Sequence, residues 1–177
     1  MDKLFVGLLF VWLDMTVGVG SMKINILPDF LGYIFMVQGL ETLMDKSAYF
    51  RKARPAAMVM VCYSLVIAIT ELVGLENSEP LISWILVLVN AVLGVLLLMW
   101  IVQGVRELEA RMNVQLEGAR LWTLWKVMAV VQVICALLYW IPILSGLLAI
   151  SLLILGICFL AAFYGSKKRY HEATENA

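Results

Sequence analysis

The chain has 177 residues, 63% of them hydrophobic and only 15% charged, with a mean hydropathy of +0.96. A soluble domain of this length needs far more polar surface, and no hydrophilic stretch is long enough for a second domain, so one integral membrane domain is expected over residues 1–171. The 13 basic and 13 acidic side chains cancel, and they form no basic face of the kind nucleic-acid binding requires.

The hydropathy pattern predicts an all-α, polytopic membrane bundle of about six transmembrane helices, drawn at 4–20, 28–44, 55–74, 80–104, 121–141 and 143–165. Each is near the ~20 residues that cross the hydrocarbon layer, the second being at the short end. Leu4 to Leu13 could be the apolar core of a signal peptide, with Gly18-Val19-Gly20 as a small-residue cleavage site. Asp2 beside Lys3 and the interruption at Asp14 favour a retained helix instead. Pro28, Pro55, Pro80 and Pro142 stand where segments two, three, four and six should begin, because proline suits a first helical turn. Trp84, Tyr139 and Trp140 mark one membrane interface, and Trp122, Trp125 and Tyr164 mark the other.

The six segments pair as three hairpins. Val37-Gln38-Gly39-Leu40-Glu41-Thr42-Leu43 recurs as Val102-Gln103-Gly104-Val105-Arg106-Glu107-Leu108, with a fainter echo at Phe163-Tyr164-Gly165. Parallel duplication would produce this, and so would the small alphabet that membrane helices share. Between segments four and five, Leu108, Met112 and Leu116 recur every four residues. Residues 105–120 then read either as an amphipathic helix on the membrane surface or as a continuation of segment four. Residues 172–177 are expected to be a flexible cytoplasmic tail.

Charge fixes the expected topology. Lys3, Lys46, Arg51, Lys52, Arg54, Arg106, Arg111, Arg120, Lys167, Lys168 and Arg169 all fall on one side of this scheme, with Lys126 just inside segment five and only Lys23 on the other side. By the positive-inside rule, both termini are cytoplasmic and the protein is a multi-pass plasma-membrane protein.

Asp14 is the costliest residue to bury, about 16 Å along its helix at 1.5 Å per residue. An acid at that depth usually faces protein or a water-filled cavity, as a proton or cation relay or as a hydrogen-bonded tie between helices. Gln38, Ser64, Asn90, Gln132 and Ser151 fall at similar depth. Asp14, Gln38, Asn90 and Gln132 are therefore a candidate polar centre, and interhelical hydrogen bonding is the competing reading. A second candidate is the outer loop, where Asn25 and Asp29 flank Pro28 and Gly32 admits a neighbouring helix closely. Its competitor is a well-capped turn, with Asp29 complementing the helix dipole. Cys62, Cys135 and Cys158 read as small packing residues. With no CxxC pair and a lone His171, neither a metal site nor a cofactor is expected.

The stretch Ile24-Asn25-Ile26-Leu27-Pro28-Asp29-Phe30-Leu31-Gly32-Tyr33, just after a first membrane helix, resembles small multi-pass membrane proteins of Gram-positive bacteria. The resemblance covers about the first 45 residues. It implies a bacterial plasma membrane and carries over no activity or site.

No nucleophile–base constellation, phosphate loop or dinucleotide fingerprint is present, so an enzyme is not expected. Two functions remain. One is small-molecule or ion translocation or binding through the polar centre. The other is a non-catalytic accessory role, holding a membrane-protein partner. The expected partners are the lipid bilayer and either a second copy of the chain or another membrane protein, with no nucleic acid. Wet mid-membrane amides would favour the first function, and dry ones the second.

Overall fold

The structure, a computed structural model, describes residues 1–12, 16–19, 22–25, 29–72, 80–138 and 141–175. The described residues form an all-α bundle of six helices: α1 (Asp2–Trp12), α2 (Asp29–Glu41), α3 (Ala48–Leu72), α4 (Pro80–Met112), α5 (Gly118–Leu137) and α6 (Pro142–Glu175). Each helix packs on the next in sequence, and α6 returns to α1, so the six form a ring.

Among the described residues, four helical stretches are long and apolar enough to cross a bilayer: Ala48–Thr70, Trp84–Met112, Gly118–Leu137 and Gly146–Glu175. Their outer faces expose Val66, Ile69, Val92, Val130, Leu147 and Ile150, among others. A surface of this extent is untenable in water and is satisfied by acyl chains. The chain is an integral membrane protein.

The first two helices differ from the expected spans. α1 has 11 residues and α2 has 13. At 1.5 Å per residue they reach only about 16 and 20 Å, short of the ~30 Å hydrocarbon core. Residues 16–19 are not helical: β1 (Thr16–Val19) pairs antiparallel with β2 (Met22–Asn25), with Thr16 opposite Asn25 and Val19 opposite Met22. This corrects the helix drawn over 4–20. Thr16, Val17 and Val19 are β-branched and Gly18 is a poor helix former, so the local preference is extended backbone. A two-stranded ribbon has open edges that hydrocarbon cannot satisfy, so it belongs at a wet or protein-covered level. Asp14 and Pro28 lie outside the described residues.

Pro80 and Pro142 open helices as expected, but Pro55 does not. α3 begins seven residues earlier, at Ala48, where the Ser47 hydroxyl accepts the Tyr49 N–H at 3.1 Å. The hydroxyl acts as a cap and moves the helix start back. Pro55 frees the carbonyl of Arg51, at an exposed turn where water can take its place.

Residues 105–112 continue α4, which overturns the surface-helix reading of 105–120. The chain then turns through Asn113 and Glu117, both left-handed at φ 52° and 58°, and α5 starts at Gly118. The stripe that looked membrane-seeking packs on protein instead, with Leu108 and Leu116 buried in the core. α6 likewise runs on through Glu175, so residues 172–175 of the expected tail are helical.

One end of the ring gathers nearly all the bases. Asp2 pairs with Lys167 at 2.7 Å and with His171 at 2.8 Å. The Lys46 ammonium donates to the Tyr170 hydroxyl, and the Ser47 hydroxyl donates to the Glu107 carboxylate. Arg169 reaches Glu117 at 3.0 Å and the Gln115 carbonyl at 3.1 Å, while the Ser166 hydroxyl donates to the Leu116 carbonyl. The N-terminus, the α2–α3 and α4–α5 connections and the last turns of α6 therefore meet at this basic end.

The hydrogen bond from Lys167, with help from His171, pulls the Asp2 carboxyl from its ordinary 3.8 down to about 2, against a smaller opposing effect of burial. A depressed carboxyl contributes stability above its unfolded value and loses it as the pH falls through the folded value. The α1–α6 clasp should therefore hold at pH 5 and above, weaken below about pH 4 and be gone near pH 2. Its size should be that of a partly exposed ion pair, about 0.2–1 kcal/mol. Thermal melts of wild type and Asp2→Asn should differ at pH 6 and converge as the pH approaches 2, and a constant offset across that range would contradict the assignment.

Candidate binding cavity

The fully buried side chains concentrate towards the basic end: Leu40 and Leu43 of α2 and its following turn, Phe50 of α3, Ile101 and Val105 of α4, and Phe163 of α6. Towards the opposite end the ring is less filled. There, α1, α2, α4, α5 and α6 enclose a cavity of about 220 Å³.

Three of the sequence candidates line it together. Asp29 comes from the first residue of α2, Asn90 from α4 and Gln132 from α5. Two indole hydrogen bonds set the α4–α5 register that allows this. The Trp84 N–H donates to the Ala136 carbonyl and the Trp125 N–H to the Val95 carbonyl, each at 3.0 Å. With those pairs fixed, Asn90 and Gln132 fall at one level of the two antiparallel helices. Trp84 and Trp125, both expected at headgroup belts, are thus also interhelical donors. On the far side of α4, the Tyr63 hydroxyl donates to the Leu86 carbonyl at 2.8 Å and holds α3 in place.

Asp29 was expected in an outer-loop site separate from the polar centre, but it lines the same cavity as Asn90 and Gln132. Asn25 lies in β2, opposite Thr16. Gln38 does not join them. It sits near the basic end of α2, where its side-chain oxygen accepts the Lys3 ammonium at 3.1 Å. Depth reckoned from a 17-residue first span and a matching second one placed it wrongly, because both helices are shorter than that scheme assumes. Cys62 and Cys158 are exposed on the outside of the bundle and so do not pack its core.

Two aromatic residues complete the wall and were not singled out as site residues. Trp12, at the end of α1, and Tyr33, one turn beyond Asp29, both line the cavity. The sequence carried a signal for Trp12: it lies mid-way along its apolar segment, far from either headgroup belt where tryptophan ordinarily gathers. Its indole packs against α6 at Gly156, where a Cβ would collide with the ring. α1 and α2 are themselves held close by glycine. A Cβ on Gly32 would stand 2.8 Å from Val11 Cγ2 and 3.0 Å from the Gly7 carbonyl oxygen. Apolar residues Leu8, Met36 and Leu97 form the floor towards the basic end.

Among the described residues, the cavity is thus a largely apolar cup lined by one carboxylate, two amides, a phenol and an indole. This is the usual composition of a small-molecule site, mostly apolar with a few placed polar groups. No protein-family model matches the chain, and neither the curated proteins nor the solved structures compared with it give a match.

Proposed function

We propose that this is a bacterial plasma-membrane protein that binds a small molecule in the Asp29–Asn90–Gln132 cavity from outside the cell and passes it across the membrane. The supporting observation is the cavity itself: three polar side chains from three helices line one largely apolar cup. The basic end is read as cytoplasmic, from the positive-inside rule, which sets the cavity towards the outer surface and the buried Leu40–Phe163 layer beneath it as the inner seal. The resemblance of residues 24–33 to small membrane proteins of Gram-positive bacteria supports the bacterial setting. No catalytic step is proposed for the site.

Filling the cavity tests this reading. Gly94 lines it, and a Cβ there meets nothing closer than Gln132 Nε2 at 3.9 Å. Gly94→Phe should therefore be accommodated, occupy the cup, and abolish complementation of a deletion strain while folded protein stays at wild-type abundance. Full complementation by Gly94→Phe would shift the assignment to an accessory role exercised through the protein's outer surfaces.

A further inference from the structure

We infer that the basic end of the α4–α5 pair holds an anionic phospholipid, its phosphate between Arg106 and Lys126 and an acyl chain along α5 beneath them. This site lies apart from the cavity and does not depend on the function proposed for it. Side chains of a helix lean towards its N-terminus. The two helices run antiparallel, so Arg106 leans from the basic end towards the bilayer, while Lys126 leans towards the basic end. Both approach Trp122. The Arg106 guanidinium lies over its ring, 5.4 Å from the centroid. Lys126 is one turn further along α5, a spacing that puts Cβ atoms about 5–6 Å apart. Trp122 stacks on Trp125 at 4.6 Å, and the Trp125 N–H is tied to the Val95 carbonyl, so the indole between the two cations is held in place. The Arg106 stem is held by Gly118, whose missing Cβ would stand 2.7 Å from Arg106 Cγ.

The carboxylates at this end are committed elsewhere. Glu107 pairs with Arg111 at 2.5 Å, and Glu117 with Arg120 at 3.2 Å and Arg169 at 3.0 Å. Glu109 accepts the Gly118 N–H at 2.8 Å. Among the described residues, neither Arg106 nor Lys126 forms an ion pair, and both are exposed. Basic residues so placed at a membrane surface favour anionic headgroups. Lys126 is eight residues beyond Gly118, about 12 Å into α5 at 1.5 Å per residue. At that depth its ammonium must reach back to an oxygen partner, and a lipid phosphate is the one the bilayer supplies. Val130, Val133 and Leu137 continue the Lys126 stripe away from the basic end, and all three are exposed. A phospholipid satisfies the cations and the stripe together, which a soluble phosphate does not.

The test uses the full-length protein in phosphatidylcholine vesicles doped with dibrominated phosphatidylglycerol or dibrominated phosphatidylcholine. Bromine quenches an indole on contact, and the part due to Trp122 is the difference between each protein and its Trp122→Phe form. Phosphatidylglycerol should occupy the wild-type site in preference to phosphatidylcholine by at least about fivefold. Arg106→Gln with Lys126→Gln should bring the two lipids within about twofold of each other. Arg51→Gln with Lys52→Gln is the control, removing the same charge from the start of α3, and should leave the preference intact. No preference in the wild type, or an undiminished one in the Arg106–Lys126 double variant, would overturn the site. Equal loss in the α3 control would also overturn it, showing only a general attraction of anionic lipid to a basic surface. Excess glycerol phosphate in solution should not relieve the quenching, and relief would replace the lipid with a soluble phosphate. Should the Arg106–Lys126 double variant fail to fold, the wild-type ratio and the α3 control decide.

Discussion

Gly39→Val is expected to leave little folded protein in the membrane. A Cβ on Gly39 would lie 2.5 Å from the Leu4 backbone nitrogen and 2.8 Å from Leu4 Cα. Neither atom can rotate aside, so α1 and α2 would have to separate. Gly7 faces the same constraint from the other helix, at 2.6 Å from the Gly32 carbonyl oxygen and 2.7 Å from the Met36 nitrogen. Overpacking a core typically costs about 1–3 kcal/mol and more where backbone must move. In a bilayer no hydrophobic effect drives helices together, so close backbone packing of this kind supplies much of their association. Gly7→Val should behave like Gly39→Val. Gly146→Val is the internal control, since nothing lies within 4 Å of its would-be Cβ. Detergent-resistance and abundance assays should show loss for the first two variants and wild-type behaviour for the third. Wild-type stability of Gly39→Val would mean that α1 and α2 do not cross as described.

Phe50→Ala should destabilise the protein by about 3–5 kcal/mol, the usual range for removing a buried aromatic. Phe50 is fully buried in the first turn of α3, and its ring packs on Gly104 of α4, where any Cβ would collide with it. Truncation leaves a void that α4 cannot fill, because Gly104 has no side chain to offer. Reversible unfolding in mixed micelles measures the difference. A loss below about 1 kcal/mol would show that the inner layer is loosely packed and is no seal.

Gly39 and Gly104 hold corresponding places in the Val-Gln-Gly repeat seen in the sequence. Both serve as close-approach points, Gly39 against α1 and Gly104 against α3. The third echo departs from this, for Gly165 has only ordinary contacts with Glu117 at 3.7 Å and beyond. A repeat in sequence therefore marked packing sites without stating what packs there.

Fold class was legible because a bilayer imposes long apolar runs; the number of spans was not, since four helical stretches among the described residues are long enough to cross and α1 and α2 are too short. The starts of α4 and α6 followed from proline chemistry. The start of α3 did not, because the cap at Ser47 competes with Pro55 and lies outside the apolar run. The first segment was misread as one long helix because the hydropathy of Thr16–Val19 does not distinguish helix from strand, while its β-branched residues and Gly18 do. The cavity was half legible. Asn90 and Gln132 stood out as polar groups in apolar surroundings and Asp29 as part of the outer-loop segment, but their meeting depends on helix rotation. Rotation is hard to read in a membrane protein, since lipid-facing and protein-facing positions are both apolar. The same ambiguity extends to Gly146 and Ala149, small residues that face outward in the bundle.

Thiol accessibility tests the central claim most directly: a cavity open to the outer side above a dry inner layer. In a background with Cys62, Cys135 and Cys158 replaced by alanine, single cysteines are placed at Asn90, Gln132, Ile101 and Val105. A small membrane-impermeant methanethiosulfonate is then applied to intact cells and to inside-out vesicles. Asn90→Cys and Gln132→Cys should react in intact cells, and Ile101→Cys and Val105→Cys should react in neither preparation. Reaction of the first pair only in inside-out vesicles, or reaction of the second pair as fast as the first, would contradict an outward-open cavity sealed on its cytoplasmic side.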